Sequence, residues 1–510
     1  MKKIIMLGLL FLGILSVRAQ HEFTIEGKIQ GVEDGIPIGL FKTDGNLMSR
    51  VAEDTIRNGC FRFKEKTPSG GLDNVTLSVF GYGFPSTWLD LWVEPNAKIF
   101  ISADNKLLRT WRVKSNVAEQ QVQNKFIDAT RELMNAQQER YIKMEDLYSM
   151  ERNDSIKNLL TQLDEQNNIS REKITPIEIK LAKELPVTPA WMKVMKSLSM
   201  QARYDEKFPY REELLELYAK MNEQQRQTEI GKNITVFLFP PTVVEIGEQM
   251  VDADLYDLDG NIHHLADNKG KFTLLDFWSR GCGPCMMALP EMKETAEAYK
   301  DKLAMISLSI DNEKNWREVS ATKDMTWQNL NELQGTNGLY AKYGVNGIPF
   351  YVIISPEGVL LHKWMGYGKG IFKAKLRKWM NSDKKEMSIT QKNGVKIVNN
   401  PSELFSNTET LEIKQVELAD TATIVHVKAY YTPKYWIQIS PDSYLKSDNG
   451  TLCKLLSADG IIPGEKFVMP ESGEAEFTFV FQPLPANAKT FTFAEGNGKN
   501  DWRIELLLTK

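Results

Sequence analysis

Apolar and polar positions alternate along the first part of the chain, residues 20–114. The alternation begins with Phe23, Ile25 and Gly27. A period of two is typical of strands that bury one face. Asn58-Gly59 is the sequence of a two-residue hairpin turn, and the stretches 89–93 and 99–101 suggest another hairpin. The pattern predicts a β-rich, sandwich-like N-terminal domain.

Residues 115–235 show a different period, and glycine becomes rare. Apolar residues recur every three or four positions, which is the spacing of an amphipathic helix. The first such series contains Val122, Phe126, Ala129, Leu133, Ala136, Met144 and Leu147. Further helices are predicted over 156–165, 178–185, 190–204 and 212–225, with prolines between several of them. We expect a helical bundle or arm, ended by a linker at Phe239-Pro240-Pro241.

Apolar runs and helical patterns follow one another in residues 236–384. The run Phe272–Trp278 predicts a buried strand, followed by a short loop and a helix that contains Pro290. The elements expected after that are a parallel strand over 302–310, a helix over 315–322, strands over 350–355 and 359–365, and a helix over 372–380. This order predicts an α/β domain.

The last part, residues 385–510, returns to β-type patterns. Strands are predicted over 424–431, 435–439, 475–481 and 502–508, with turn sequences at short intervals. The pattern predicts a C-terminal β-sandwich. The fold class is therefore multidomain, with an α/β domain flanked by a helical region and two β domains.

Length and charge narrow the class of protein. The chain has 510 residues, which suggests three or four domains at about 150 residues each. Its net charge of −4 argues against nucleic acid as a partner.

Lys2 and Lys3 precede the apolar run Ile4–Leu15, and Val17-Arg18-Ala19 resembles a cleavage site. This run is shorter than the about 20 residues needed to span a bilayer. We therefore expect a signal peptide over 1–19 and a soluble exported protein without a transmembrane segment after cleavage.

The candidate chemistry lies in Cys282-Gly283-Pro284-Cys285. The first thiol would begin a helix, where free N–H groups and the helix dipole stabilise a thiolate. Cys285 would lie one turn further, more buried, and lose its proton less readily. Half of a zinc site is an alternative, but a structural zinc site needs four ligands and no second Cys-X-X-Cys exists. A purely structural bridge would close a very small loop and stabilise little.

The chain has four cysteines, so two bridges are conceivable in an exported protein. Cys282 and Cys285 account for one of them. Cys60 and Cys453 lie in different predicted domains, and two isolated thiols are the preferred interpretation over a bridge between them. No metal or other cofactor is expected.

The motifs of the central domain resemble those of the TlpA/ResA-like thioredoxins of the bacterial envelope. The resemblance covers about residues 241–383. It rests on Asp276-Phe277-Trp278, on Cys282-Gly283-Pro284-Cys285, and on Gly347-Ile348-Pro349 before an apolar strand. The β-rich N-terminal part is similar to a domain of unknown function that often precedes such thioredoxins in Bacteroidetes.

The resemblance implies roles for individual residues. Cys282 and Cys285 would form the redox disulfide, and Asp276 would accept the proton of the second thiol, as a buried carboxyl with a raised pKa could do. A surface aspartate at the strand end is the alternative. Pro349 would be cis and present the Ile348 backbone to a substrate chain, with Gly347 beside it. Trp278 and Pro284 would support and shape the loop, and together with Gly281 and Gly283 they are predicted to contribute to substrate binding.

One position departs from the family pattern. The residue before the first cysteine is usually aromatic, and here it is Gly281, after Arg280. We expect the change to open the surface beside Cys282 and to alter the choice of partner. Arg280 would either stabilise the thiolate or lie solvated in the loop.

The resulting functional prediction is an exported thiol–disulfide oxidoreductase, a reductase or isomerase. Its implied partners are disulfide-containing envelope proteins, with apocytochrome c as a candidate, and a membrane thiol electron donor. A peroxidase is disfavoured because Leu275 stands where a peroxidatic loop needs proline. The non-enzymatic alternative is an envelope scaffold whose flanking domains dock partners.

Overall fold

The computed structural model describes residues 22–44, 47–150, 153–380, 387–408, 410–496, 498 and 501–509. The predicted signal peptide lies outside the described residues. The chain divides into two units, the first ending at Pro241 and the second beginning at Thr242. This division falls at the predicted linker, and the finer division into four domains stays a prediction.

The first unit begins with two four-stranded sheets, ordered β4-β1-β7-β8 and β3-β2-β5-β6. Their strands are β1 Glu22–Ile29, β2 Pro37–Asp44, β3 Leu47–Thr55, β4 Cys60–Lys66, β5 Asp73–Val79, β6 Leu89–Val93, β7 Lys98–Ala103 and β8 Arg112–Ser115. Both sheets contribute to one apolar core, to which Ile25 and Leu77 belong. The sandwich expected from the alternating pattern is confirmed.

The turns of this sandwich differ partly from those predicted. Asn58 and Gly59 both have positive φ, as a tight two-residue turn requires. The hairpin expected from the stretches 89–93 and 99–101 is wrong, because β6 pairs with β5 whereas β7 pairs with β1 and β8. The loop between β6 and β7 crosses from one sheet to the other, which alternation within single strands does not reveal.

Helices make up the rest of the first unit. They are α1 Ala118–Tyr148, α2 Asp154–Glu184, α3 Pro189–Tyr204, α4 Arg211–Ala219, α5 Glu223–Gln227 and α6 Glu229–Leu238. The predicted helices 156–165 and 178–185 are parts of the single helix α2, which continues through Pro176. Burial of Ile174 and Ile179 on either side of this proline favours the continuous helix. The predicted helix 212–225 is split, since Asn222 caps a new helix, α5.

The second unit begins with a seven-stranded sheet ordered β10-β9-β13-β12-β11-β14-β15. The strands are β9 Leu255–Tyr256, β10 Ile262–His263, β11 Phe272–Trp278, β12 Leu303–Ser309, β13 Gln328–Asn331, β14 Phe350–Ile354 and β15 Leu360–Met365. Strands β11, β12 and β13 are parallel, whereas β14 and β15 are antiparallel to their neighbours. The helices are α7 Gly283–Ala298, α8 Glu313–Ser320, α9 Leu339–Lys342 and α10 Ile371–Met380. The thioredoxin-like α/β architecture is confirmed.

Strand β11 lies inside this sheet and supports the candidate site. Leu275 and Phe277 belong to one apolar core, whereas Leu274 belongs to another that contains Ala288 and Met292 of α7. The strand therefore needs apolar residues on both faces, which explains its nearly unbroken apolar sequence.

The C-terminal part consists of strands. They are β16 Ser388–Lys392, β17 Val395–Asn399, β18 Glu403–Ser406, β19 Leu411–Leu418, β20 Thr423–Tyr430, β21 Trp436–Ile437, β22 Tyr444–Ser447, β23 Leu452–Asp459, β24 Phe467–Val468, β25 Glu474–Phe481, β26 Thr490–Ala494 and β27 Arg503–Leu507. Ten of these strands form one sheet, ordered β16-β17-β19-β20-β25-β23-β22-β26-β27-β18, and β21 pairs with β24.

Strand β23 joins two layers of this sheet. Its first half pairs with β22 and its second half with β25. Phe479 of β25 and Phe493 of β26 stack with their ring centroids 6.1 Å apart, although two other strands separate β25 from β26 in the sheet order. The sheet therefore folds over its own apolar core, as in a sandwich or half-barrel.

Among the described residues, no helix has both the length and the apolar character needed to cross a bilayer.

Candidate active site

Cys282 and Cys285 form a disulfide at the start of α7. The S–S distance is 2.01 Å and the two Cα atoms are 5.2 Å apart. Cys282 is the N-cap residue and is partly buried, whereas Cys285 is 3% exposed. The backbone N–H of Cys285 donates a hydrogen bond to Sγ of Cys282 over 3.1 Å. One sulfur therefore lies at the free N–H groups of a helix, and the other lies beneath it.

Asp311 fixes the loop between β11 and α7. Its carboxylate accepts hydrogen bonds from Oγ of Ser279 at 2.7 Å and from the backbone N–H of Arg280 at 2.6 Å. Asp311 is itself buried, and its backbone oxygen accepts a bond from the side chain of Asn331 at 2.9 Å. Sequence reasoning missed this residue. The available signal was its position just after β12, because the carboxyl ends of parallel strands meet at one edge of a sheet.

Asp276 lies inside the sheet at 2% exposure, which excludes the alternative of a surface residue. Oγ of Ser307 donates a hydrogen bond to its Oδ2 at 2.8 Å. Nε1 of Trp327 in turn donates to Oγ of Ser307 at 2.9 Å. Burial raises the pKa of Asp276 from 3.8 to about 7, and the Ser307 hydrogen bond opposes that rise. The predicted burial and raised pKa are both present, and the catalytic role stays a prediction.

An apolar cluster supports the disulfide. Its buried members are Trp278, Cys285, Trp316 and Val319. Cys282, Met286, Met325 and Ile348 pack against them. Trp278 is 1% exposed and packs in the same cluster as Cys285, so it can support the loop only from beneath, and its predicted role in substrate binding stays a prediction. Trp316 and Val319 were not singled out from the sequence, because their helix is separated from the cysteines by a whole strand.

The loop before β14 lies beside this cluster. The peptide bond between Ile348 and Pro349 is cis, as predicted. Pro349 is buried, whereas Gly347 and Ile348 are partly exposed. The backbone N–H of Gly366 donates a hydrogen bond to the oxygen of Pro349 at 2.8 Å. This loop is therefore fixed to the segment that follows β15.

Several small and apolar residues close to Cys282 in the sequence are exposed. Gly281, Gly283 and Pro284 are exposed, and Met287 is 68% exposed. Arg280 forms an ion pair with Glu318 over 2.6 Å. The guanidinium is thus held by a carboxylate of α8, which does not support its predicted action on the thiolate.

The remaining cysteines are free thiols. Cys60 is exposed on β4 and Cys453 is buried on β23. The preferred interpretation of two isolated thiols is confirmed. Burial raises the pKa of the Cys453 thiol, which disfavours its ionisation. Within the described part of the chain, no group of three His, Cys, Asp or Glu side chains is placed to hold a metal ion.

Comparison with known proteins places the similarity in this domain. The model of the AhpC/TSA family matches residues 246–363. The thioredoxin-like protein YneN of Bacillus subtilis is 34% identical over 121 residues, which are 23% of this chain and 69% of that protein. The thiol-disulfide oxidoreductase ResA of Geobacillus thermodenitrificans is 28% identical over 124 residues, which are 24% of this chain and 70% of ResA.

Solved structures that are similar to this chain also match about a quarter of its length. The thioredoxin domain of a thiol-disulfide oxidoreductase from Bacteroides vulgatus is 27% identical, with 24% of this chain and 91% of that chain covered and a TM-score of 0.23. A thiol:disulfide interchange protein from Bacteroides sp. is 26% identical, with 28% and 94% covered and a TM-score of 0.25.

Proposed function

Because the chain belongs to the family of thioredoxin-like thiol–disulfide oxidoreductases, we propose that it reduces disulfides of proteins in the cell envelope. The observation that carries this proposal is the disulfide of Cys282 and Cys285, with the first sulfur at a helix N-terminus and the second beneath it. A dithiol with this arrangement has one sulfur for attack and one for resolution.

The reaction begins from the reduced protein. The Cys282 thiolate attacks one sulfur of the substrate disulfide, forms a mixed disulfide, and releases the other substrate sulfur, which takes up a proton. Cys285 then loses its proton and attacks Cys282. The bond between Cys282 and the substrate breaks, the second substrate thiol leaves, and the protein is left with the Cys282–Cys285 disulfide. Two electrons have passed from the protein to the substrate.

The helix start favours the thiolate of Cys282. Partial positive charge at the N-terminus of α7 and the N–H of Cys285, 3.1 Å from Sγ, both stabilise negative charge on that sulfur. Asp276 is the proposed base for Cys285. Its pKa of about 7 lets it accept and return a proton near neutral pH.

The location and the electron supply are part of the same proposal. Lys2, Lys3 and the apolar run Ile4–Leu15 favour export. A reductant in an oxidising compartment has to be reduced again after each turnover, so we expect a thiol electron donor in the membrane. Envelope proteins with accessible disulfides, apocytochrome c among them, are the proposed substrates.

The scaffold hypothesis rests on the size of the flanking parts. The matched residues 246–363 leave most of the 510-residue chain outside the family model. An insulin-reduction assay separates the two functions, because a scaffold would show no turnover that depends on the dithiol.

A trapping experiment tests the proposed reaction in the cell. Cys285→Ser should accumulate mixed disulfides between Cys282 and envelope proteins, since resolution is blocked. Cys282→Ser is the matched control and should trap nothing. Equal adducts in both variants, or none in either, would contradict the proposal.

A further inference from the structure

A groove lies next to the active site, between the thioredoxin-like domain and the C-terminal sheet. Its volume is about 670 Å³. Met365 and Tyr367 line one wall, and Asn407, Thr410, Tyr431 and Trp502 line the other. Nothing in the proposed chemistry of the disulfide uses these residues.

The groove is continuous with the loop beside the disulfide. Ile348 packs against the apolar cluster that contains Cys285. A Cβ on the neighbouring Gly347 would lie 2.5 Å from Sδ of Met365, so this glycine and the groove wall are in direct contact. Gly366, also in the lining, donates its backbone hydrogen bond to Pro349. A chain bound beside Cys282 at this loop can therefore continue into the groove.

The two walls are held in place by close packing. Gly370, just before α10, has a φ of +84°, and a Cβ there would lie 2.0 Å from Cδ of Pro433 in the C-terminal part. No side chain fits between these two segments, which lie two residues beyond Gly368 and Tyr431 of the groove lining. The chain segments that carry the two walls are therefore in close contact next to the groove.

The lining suits an extended polypeptide. Exposed Met365, at 59%, offers a flexible apolar contact, and Tyr431 and Trp502 offer aromatic surface. Thr410 adds a hydroxyl group, which can serve as a partner for the N–H and C=O groups of an extended backbone. The amide of Asn407 already bonds to the backbone of Asp501 and Arg503 and fixes the wall there. A net charge of −4 disfavours nucleic acid as the occupant.

We propose that this groove binds the polypeptide segment next to the substrate cysteine, so that the C-terminal sheet selects unfolded or extended protein substrates. This inference rests on the proposed reductase function. It assigns the sheet a role in substrate binding, while electron transfer stays with the two cysteines.

Kinetics with two substrates test the groove. Thr410→Arg places a long side chain in the groove, and Thr492→Arg is the control, on β26 of the same sheet and outside the groove lining. Thr410→Arg should raise KM about tenfold for an unfolded disulfide-containing polypeptide. It should leave kcat/KM for oxidised glutathione unchanged, since that disulfide is too small to reach the groove. Thr492→Arg should change neither value.

The possible failures are distinguishable. Equal KM values for the polypeptide in both variants would overturn the proposal that the groove binds substrate, while leaving the reductase function intact. Absence of turnover with both substrates in the unmodified protein would contradict the reductase function itself.

A second measurement does not depend on a groove variant. Cys60→Ser/Cys285→Ser, which lacks the exposed thiol of Cys60, is reacted with a cysteine peptide activated by thionitrobenzoate. The Cys282 thiolate forms a mixed disulfide with the peptide and releases thionitrobenzoate. A peptide of about 15 residues, able to extend about 50 Å, should slow amide hydrogen exchange over 406–408 and 430–431, whereas one of about three residues should not. Absence of this protection would overturn the proposal that the groove binds substrate. Protection that appears without peptide and rises with protein concentration would also overturn it, because the groove would then bind a second copy of the chain.

Discussion

At the scale of single residues, burial sets the behaviour of the carboxyl group in the active site. Asp276 is surrounded by protein, and the described residues supply no hydrogen-bond partner for its Oδ1. The neutral form is therefore favoured up to about pH 7. This property connects the reaction rate and the stability of the protein to pH through the same group.

Asp276→Asn should slow resolution of the mixed disulfide at pH 7 by about 10²-fold, because the proton of Cys285 loses its acceptor. In the unmodified protein, the resolving rate should rise with pH and level off above about 7. Rapid-quench measurement of the mixed disulfide over a pH series checks both statements. A variant with the same rate and the same pH profile would remove Asp276 from the mechanism.

The same substitution should change stability in a pH-dependent way. With a pKa of about 7 in the folded state and 3.8 unfolded, Asp276 binds a proton more tightly when folded. As the pH rises from the unfolded pKa to the folded pKa, the free energy of unfolding falls by about 4 kcal/mol in total. Oxidised Asp276→Asn should therefore gain thermal stability relative to the unmodified protein at pH 8 and much less at pH 4. An equal difference at both pH values would contradict the assigned pKa.

At the scale of elements, the cysteine loop depends on the strand beside it. Strand β12 delivers Asp311 to the loop between β11 and α7, where its carboxylate binds Ser279 and the N–H of Arg280. The position of Cys282 is thus fixed by a residue from a different element.

Asp311→Ala should lower the free energy of unfolding by about 1–3 kcal/mol, because it leaves buried donors without partners. It should also reduce kcat/KM for insulin reduction, since Cys282 loses its fixed position. Asp324→Ala removes an exposed ion pair with Lys293 and, as the control, should change stability by less than about 1 kcal/mol. Chemical denaturation and the insulin assay measure the two effects, and equal behaviour of the two variants would refute this role for Asp311.

The elements that the sequence predicted well are those with a local signal. The bounds of β11 match the apolar run, and α7 begins where the first cysteine follows a short loop. Strand β13, with the sequence Gln-Asn-Leu-Asn, was missed because its strand conformation comes from pairing with β12 and β9. Asp311 and Trp316 were missed for the same reason, since contacts between distant segments determine their roles.

At the scale of the whole molecule, the redox site is built from one unit. Its cysteines, Asp276, Asp311 and the loop at Pro349 all lie after Thr242. The kinds of domain and their order were predicted from the sequence, but the groove beside the C-terminal sheet was not. That surface forms only when the thioredoxin-like domain and the C-terminal sheet pack against each other.

A chain that begins at Thr242 should therefore fold and reduce insulin with a kcat within about twofold of the full-length value, because chemistry and substrate groove are both retained. Circular dichroism and the insulin assay provide the measurements. A folded fragment without turnover would show that the first unit takes part in the reaction.

Ionisation of the Cys282 thiol shows whether the start of α7 activates this sulfur. In reduced Cys285→Ser, the ultraviolet absorbance of the thiolate reports Cys282 together with the free thiols, and subtraction of the Cys282→Ser/Cys285→Ser curve isolates it. We predict a pKa in the range of about 3.5–7.5 expected for a thiol at a helix N-terminus. A pKa of about 8.5 or above, that of an ordinary cysteine, would contradict the claim that the start of α7 activates this sulfur.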